Sequence, residues 1–333
     1  MASPRSGLGT QFGYSIPETT YGTAVAATRF RRVRSAKLTP VIGIAEGSSI
    51  QAGLRSQVGT HRVQTTVGAE GSVEFDATYR DMGLLLQAVF GKTSTSTLKT
   101  GTAYEQVHTL DNEDFGLSHT FQVSRIARNT AGTAVPATMT GGKVTAASFN
   151  CEVGGLLEVG LTLDGYKFDN TTALAVASYL PATVPVRGVD MCVKVGAFGS
   201  EAALTGVRSW SMEYSRPMDA ADHTACNSGL KGEPVQNAPL EVSGTLNRDW
   251  IDKTLEDQSL SNATTSLQVV WTGAQIAGAD FFQHTLTLPG TFIEPASQGI
   301  DGPQELVTDW AWRWEYDGTN AATWKTITTD TAL

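Results

Sequence analysis

DWAWRWEYDG, Asp309 to Gly318, sets Trp310, Trp312, Trp314 and Tyr316 at every second position, with Asp309, Ala311, Arg313, Glu315 and Asp317 between them. Side chains alternate across a strand, so this stretch predicts a β-strand with one aromatic face and one charged face. Three indoles in a row would make a large exposed apolar patch, so the aromatic face is expected to be buried. Three settings stay open for the charged face: open solvent, a partner subunit, or an enclosed wet space.

The same grammar recurs. VEFDATYRD puts Val73, Phe75, Ala77 and Tyr79 on one face and Glu74, Asp76, Thr78 and Arg80 on the other. LLEVGLTLDG alternates Leu157, Val159, Leu161 and Leu163, and PLEVSGTLNRD aligns Leu240, Val242 and Leu246. A mainly β fold follows. Each half also predicts one short helix. After Arg80, Asp81 is the expected N-cap, Met82, Leu85, Leu86 and Val89 form a stripe, and Gly91 stops the helix. WIDKTLED plays that part after Arg248 and Asp249.

The order of features in the first half returns in the second. VRS at Val33–Ser35 recurs at Val207–Ser209, GLR at Gly53–Arg55 as GLK at Gly229–Lys231, and VQ at Val63–Gln64 as Val235–Gln236. Arg80-Asp81 is matched to Arg248-Asp249, and Asp164-Gly165 to Asp317-Gly318. The last match lays Leu157, Val159, Leu161 and Leu163 on Trp310, Trp312, Trp314 and Tyr316. The first half is expected to hold extra residues, in the Thr/Ser-rich loop KTSTSTLKTGT. The chain is therefore expected to be a duplicated domain. Residues 1–27 read as an extended arm, 28–180 as the first domain, 181–188 as a Pro-marked linker and 189–333 as the second domain. TRFRRVRSAKL reads as a basic strand, and 42–66 as a long loop or protruding hairpin.

Composition narrows function. The 333 residues are 41% hydrophobic but only 17% charged, and net charge is −9. That balance argues against a protein that grips nucleic acid through its phosphates. Cys151, Cys192 and Cys226 are far apart and show neither zinc spacing nor a disulfide framework, which predicts a reducing compartment. No secretory leader and no membrane-spanning run is read, so no membrane partner is expected. None of the five histidines stands at metal spacing with another His or Cys. Asp111, Glu113 and Asp114 depart from calcium-loop spacing and read as a solvated turn. His223 and Cys226 lack a third member, and Glu74 with Asp76 look like any charged strand face. No catalytic, metal or cofactor site is expected, and the protein is not expected to be an enzyme.

ETTYGTAVAAT near the start and GAEGSVEFDATYRDMGLLLQAVFG resemble the major tail tube proteins of long-tailed, siphovirus-like bacteriophages. The resemblance implies a β-sandwich or half-open barrel with a short flanking helix in each domain. Subunits would join sheets into a ring with a continuous β-barrel wall, and rings would stack into the tube through which DNA leaves. Two domains per chain imply homotrimeric rings with pseudo-sixfold symmetry, with hexameric rings as the alternative. The family also implies a tape measure protein, a tail terminator and distal tail proteins as partners, and the virion tail as location, after the host cytoplasm. DNA would pass without specific binding. Glu74, Asp76, Glu241, Glu315 and Asp317 are candidates to face the lumen. Arg31, Arg32 and Arg34, with Asp111, Glu113 and Asp114, are candidates for contacts between rings. The competing readings are another virion protein with this domain type (tail terminator, baseplate or decoration protein) and a β-rich carbohydrate-binding module.

Overall fold

The computed structural model describes residues 9–48, 52–56, 59–91, 94–110, 116–126, 134–219, 221–296 and 306–333. Asp111, Glu113 and Asp114 lie outside them. The first half runs β1 (Phe12–Pro17), β2 (Arg29–Arg31), β3 (Ser35–Glu46), β4 (Arg62–Asp76), α1 (Gly83–Phe90), β5 (Ser94–Thr100), β6 (Ala103–Thr109), β7 (His119–Ile126), β8 (Ala134–Glu152), β9 (Glu158–Gly165) and β10 (Lys167–Asp169). The second runs β11 (Met191–Gly196), β12 (Ala202–Ala203), β13 (Val207–Ser215), β14 (Glu241–Asp249), α2 (Thr254–Ser261), β15 (Thr265–Ala277), β16 (Asp280–Ile293), β17 (Val307–Trp314) and β18 (Thr323–Thr328). The protein is mainly β, as alternation predicts, and its strands pair antiparallel.

The long strand β8 belongs to two layers. Its first part pairs with β7 and β10, and its second part, from Lys143, pairs with β9 and β13. One layer is thus β2-β1-β7-β8-β10 and the other β3-β4-β9-β8. In the second half β16 bends in the same way. It pairs with β15 and β18, then with β17, while β17 pairs with β14 and β14 with β13. Even the bulge recurs: His119↔Gly142 and Phe121↔Met139 are mirrored by Thr265↔Thr291 and Leu267↔Leu288. β13 lies beside the second part of β8 through seven residue pairs, Ser209↔Glu152 to Ser215↔Ala146. That seam makes one eight-stranded sheet, β3-β4-β9-β8-β13-β14-β17-β16.

Between the layers sits an aromatic core. Trp210 meets Trp271 edge-on at 5.4 Å and stacks on Trp312 at 6.3 Å; Trp271 stacks on Trp324 at 5.9 Å. Phe149 of β8 and Phe90 of α1 also pack on Trp324, so the first half helps to fill the second half's core. The Thr/Ser-rich stretch is a hairpin, β5–β6, and β6 pairs with β18. It widens the second half's layer with strands from the first.

Several expectations change. TRFRRVRSAKL is two strands, because β2 pairs with β1 and β3 with β4. Phe12–Pro17, read as part of an arm, is a paired strand whose Phe12 and Tyr14 are in the core. Asp81 does not cap α1. It has φ +61° and its N–H donates to the Asp330 carboxylate at 2.6 Å, while Met82 occupies the cap position. α1 shows no single apolar stripe, since all eight residues are buried. Tyr316 falls past the end of β17 and is half exposed.

One polar pocket inside the core is fully satisfied. Trp324 Nε1–H donates to His284 Nδ1 at 3.2 Å, and the Thr326 hydroxyl lies 3.0 Å from the same nitrogen. Nδ1 is thereby the acceptor, which leaves Nε2–H to donate to the Thr78 carbonyl at 3.0 Å. Burial pushes the His284 pKa down to about 4, outweighing the Thr78 hydrogen bond, and burial pushes nearby His108 down to about 3.

Candidate assembly surfaces

The eight-stranded sheet has one dry and one wet face, and ladder register lets both be read row by row. Ala36–Val73–Leu161–Ala147–Tyr214–Val242–Trp314–Thr291 is a dry row. The adjacent wet row is Ser35–Glu74–Gly160–Ser148–Glu213–Ser243–Arg313–Phe292. It crosses from the first half to the second without a break. Small and hydroxylated residues dominate it, and carboxylates supply most of its charge.

The sequence candidates sort unevenly onto this face. Glu74 is exposed in mid-strand and accepts from the Ser35 hydroxyl at 3.0 Å. Asp76 ends β4 in an ion pair with Arg34 at 2.8 Å, and Arg34 also meets Glu158. Arg208 and Asp249 repeat that pair at 2.6 Å in the second half. Glu241 is exposed at the first position of β14. Glu315 and Asp317 lie beyond the strand. Arg313 sits 3.4 Å from both Glu294 and Glu315, whereas Asp317 closes a turn. The backbone and side-chain amides of Asn320 and the N–H of Thr319 hold its carboxyl below the usual range. Sequence reasoning missed Glu158 and Glu213, and it placed Asp309 on the charged face without counting it among the lumen candidates. The signal for Glu213 was present: VRSWSMEYS buries Trp210, Met212 and Tyr214 and leaves Ser211, Glu213 and Ser215 on the other face. Burial raises the Glu213 carboxyl above its ordinary range.

The three arginines part company. Arg31 is buried: Nη1 donates to Asp81 O at 2.6 Å, Nη2 to Thr78 Oγ1 at 2.7 Å, and the guanidinium lies 4.4 Å from the Phe75 ring centre. It is an internal strut and offers nothing to a neighbour. Arg34 is half exposed and already shared by two carboxylates. Arg32 alone is exposed without such a tether among the described residues.

Within 42–66 the described ends of the stretch pair as a hairpin out to Glu46↔Arg62. Ile42, Ile44, Leu54 and Val63 are exposed on it, as is Val41 just before it. The matching β13–β14 connection instead folds back onto the first half. There Val67 N–H donates to Gly229 O, Leu230 bridges Val67, Lys231 pairs with Asp164, and buried Lys143 meets Glu233 at 2.7 Å. Both tips turn on a glycine with positive φ, Gly53 at +84° and Gly229 at +76°.

Among the described residues no group of His, Cys, Asp and Glu could hold a metal ion, and no helix is long and apolar enough to cross a membrane. Residues 7–313 match the family described as phage tail tube protein. No curated protein sequence gives a match. The chain belongs to the phage tail tube family, a structural component of the virion tail that self-assembles into a tube.

Proposed function

We propose, starting from that family, that copies of this chain close into rings whose wall is the eight-stranded sheet, and that stacked rings form the conduit for DNA ejection. The observation that carries this reading is the β8–β13 seam between halves with the same pairing plan. β3 stands where β13 stands in the second half, yet its outer edge meets no ladder among the described residues. An unpaired edge twelve residues long invites a strand from another chain. Setting β3 beside β16 of the next copy repeats the internal seam, and closure removes both edges of this sheet. On this reading the chain is two tail-tube domains, the first widened from 28–180 to take in β1 and the second 189–333, and three copies give a ring with pseudo-sixfold symmetry.

The wet face then lines the lumen. Glu74, Glu213, Glu241 and Asp309 recur around each ring and along the stack, and their field repels phosphate. A basic wall would hold DNA by counterion release. Tape measure, terminator and distal tail proteins are the fitting partners. Electron microscopy of the purified chain tests the reading. Hollow cylinders with three- or sixfold end-on averages are expected, and a chain that stays monomeric under all assembly conditions sinks it.

A further inference from the structure

The segment that leads into the second half covers the end of the first. Val186 is fully buried there; its N–H donates to Ala77 O and its carbonyl accepts from Leu157 N–H, both at 2.9 Å. Pro185 bridges Thr78, and Arg187 bridges Leu156. Under this cover Ala77 N–H donates to Leu157 O at 2.8 Å.

The second half contains the same device without its cover. Trp250 N–H donates to Leu306 O at 2.8 Å, the counterpart of Ala77 and Leu157. Among the described residues, nothing takes the place of Val186. Ile251 and Val307 are left 54% and 38% exposed, and Leu306 42%. Leaving such a cluster in water forfeits apolar burial and leaves a strand-like backbone edge open.

Ladder register identifies what would fit. Tyr14↔Phe121 in β1–β7 corresponds to Val195↔Leu267 in β11–β15. Counting back from these strands, Pro185-Val-Arg-Gly188 falls on Pro4-Arg-Ser-Gly7. Both are P-x-x-G followed by an apolar residue, Val189 or Leu8. The linker lies on the half that precedes its own strand. In the proposed ring, the half that stands before β1 is the second half of another copy.

We propose that residues 1–8 of one copy seat across Trp250, Ile251, Leu306 and Val307 of the next, with Arg5 backbone groups meeting Trp250 O and Leu306 N–H. Asp249 and Asp252 beside the patch already pair with Arg208 and Arg248, so charge there is balanced and it is the ladder register and the shared P-x-x-G, not charge, that select the arm. This rests on the ring reading above and adds an exchanged arm to each junction between copies.

Two variants test it, Ser3→Cys in one chain and Ile251→Cys in another, each with Cys192→Ser and Cys226→Ser. They are mixed, assembled and treated with a short-arm bismaleimide. A cross-linked dimer on a denaturing gel is expected from the mixture and not from either variant alone. Hollow cylinders without that dimer overturn the exchanged arm while leaving the ring reading intact. If the unsubstituted chain builds no cylinders, both fail. Deleting residues 1–8 provides a second readout: the free chain should keep its melting temperature while cylinder yield falls at least tenfold, and a normal yield overturns the proposal.

Discussion

His284→Gln should flatten the acid side of the stability curve. The wild-type imidazole is buried, neutral and committed as an acceptor to the Trp324 indole N–H. A proton on Nδ1 would set donor against donor in a fully buried site. The pKa falls from the ordinary 6.5 to about 4, with burial the largest cause and the Arg31 charge adding to it. The unfolded chain therefore takes up a proton below pH 6.5 that the folded chain refuses, so stability falls as pH falls and the loss is complete near pH 4. At about 1.4 kcal/mol per pH unit, the span costs about 3 kcal/mol, of which about 2 is lost by pH 5. His108 and His119 are also buried with lowered pKa values, but they are present in both proteins and largely cancel in the difference. Gln keeps a donor for the Thr78 carbonyl and cannot titrate. The assay is urea unfolding of the unassembled chain at pH 7.5, 6.5, 5.5 and 5.0. The wild type should lose about 2 kcal/mol more than the variant over that range. Parallel curves would show that His284 titrates like an exposed imidazole and that the buried, neutral assignment is mistaken.

Trp312→Ala should cost about 3–5 kcal/mol in chemical unfolding, because the indole is buried and stacked on Trp210. Gly244→Ala should also destabilise, since a Cβ there would lie 2.0 Å from Ser211 O and 2.5 Å from the Trp312 ring; an unchanged melting temperature would contradict the close packing of β13 on β14. Arg31→Gln should lower stability of the free chain by about 2 kcal/mol or more through unsatisfied buried carbonyls, whereas Arg32→Gln should leave it unchanged within error. Glu74→Lys with Glu213→Lys should leave tubes intact and slow DNA ejection from phage that carry them; a normal ejection rate would remove lumen repulsion as the reason for the acidic face.

The period-two strands were legible because a half-buried sheet imposes its period on sequence directly. VEFDATYRD, PLEVSGTLNRD and DWAWRWEYDG as far as Trp314 lie where alternation puts them, and so do Glu74 and Glu241; Tyr316 does not, because β17 ends two residues before it. What depends on distant partners was not legible. Asp81 looks like a cap, but Asp330 holds its N–H. Arg31 looks like surface charge, but backbone carbonyls and the Phe75 ring enclose it. Repeat register shows the same limit. VRS marks true counterparts, since Ser35↔Glu74 and Ser209↔Asn247 are equivalent pairs in the two ladders. The Arg-Asp match does not, because Asp249 stands with Asp76 at a strand end and not with Asp81. The Asp-Gly match is likewise four residues out: Leu163 answers to Trp312, as Val144↔Leu163 and Ile293↔Trp312 show.

β8 carries a mechanical consequence. It is one unbroken backbone of nineteen residues shared by both layers, with the seam along its second part. In the proposed ring, with β8 running along the tube, tension around the wall crosses the β8–β13 ladder, where hydrogen bonds alone carry it. Axial stretch pulls along β8, where its ladders must shear together and the load passes covalently from layer to layer. A wall built on this strand should resist elongation far better than swelling, and its first rupture under internal load should run lengthwise beside β8.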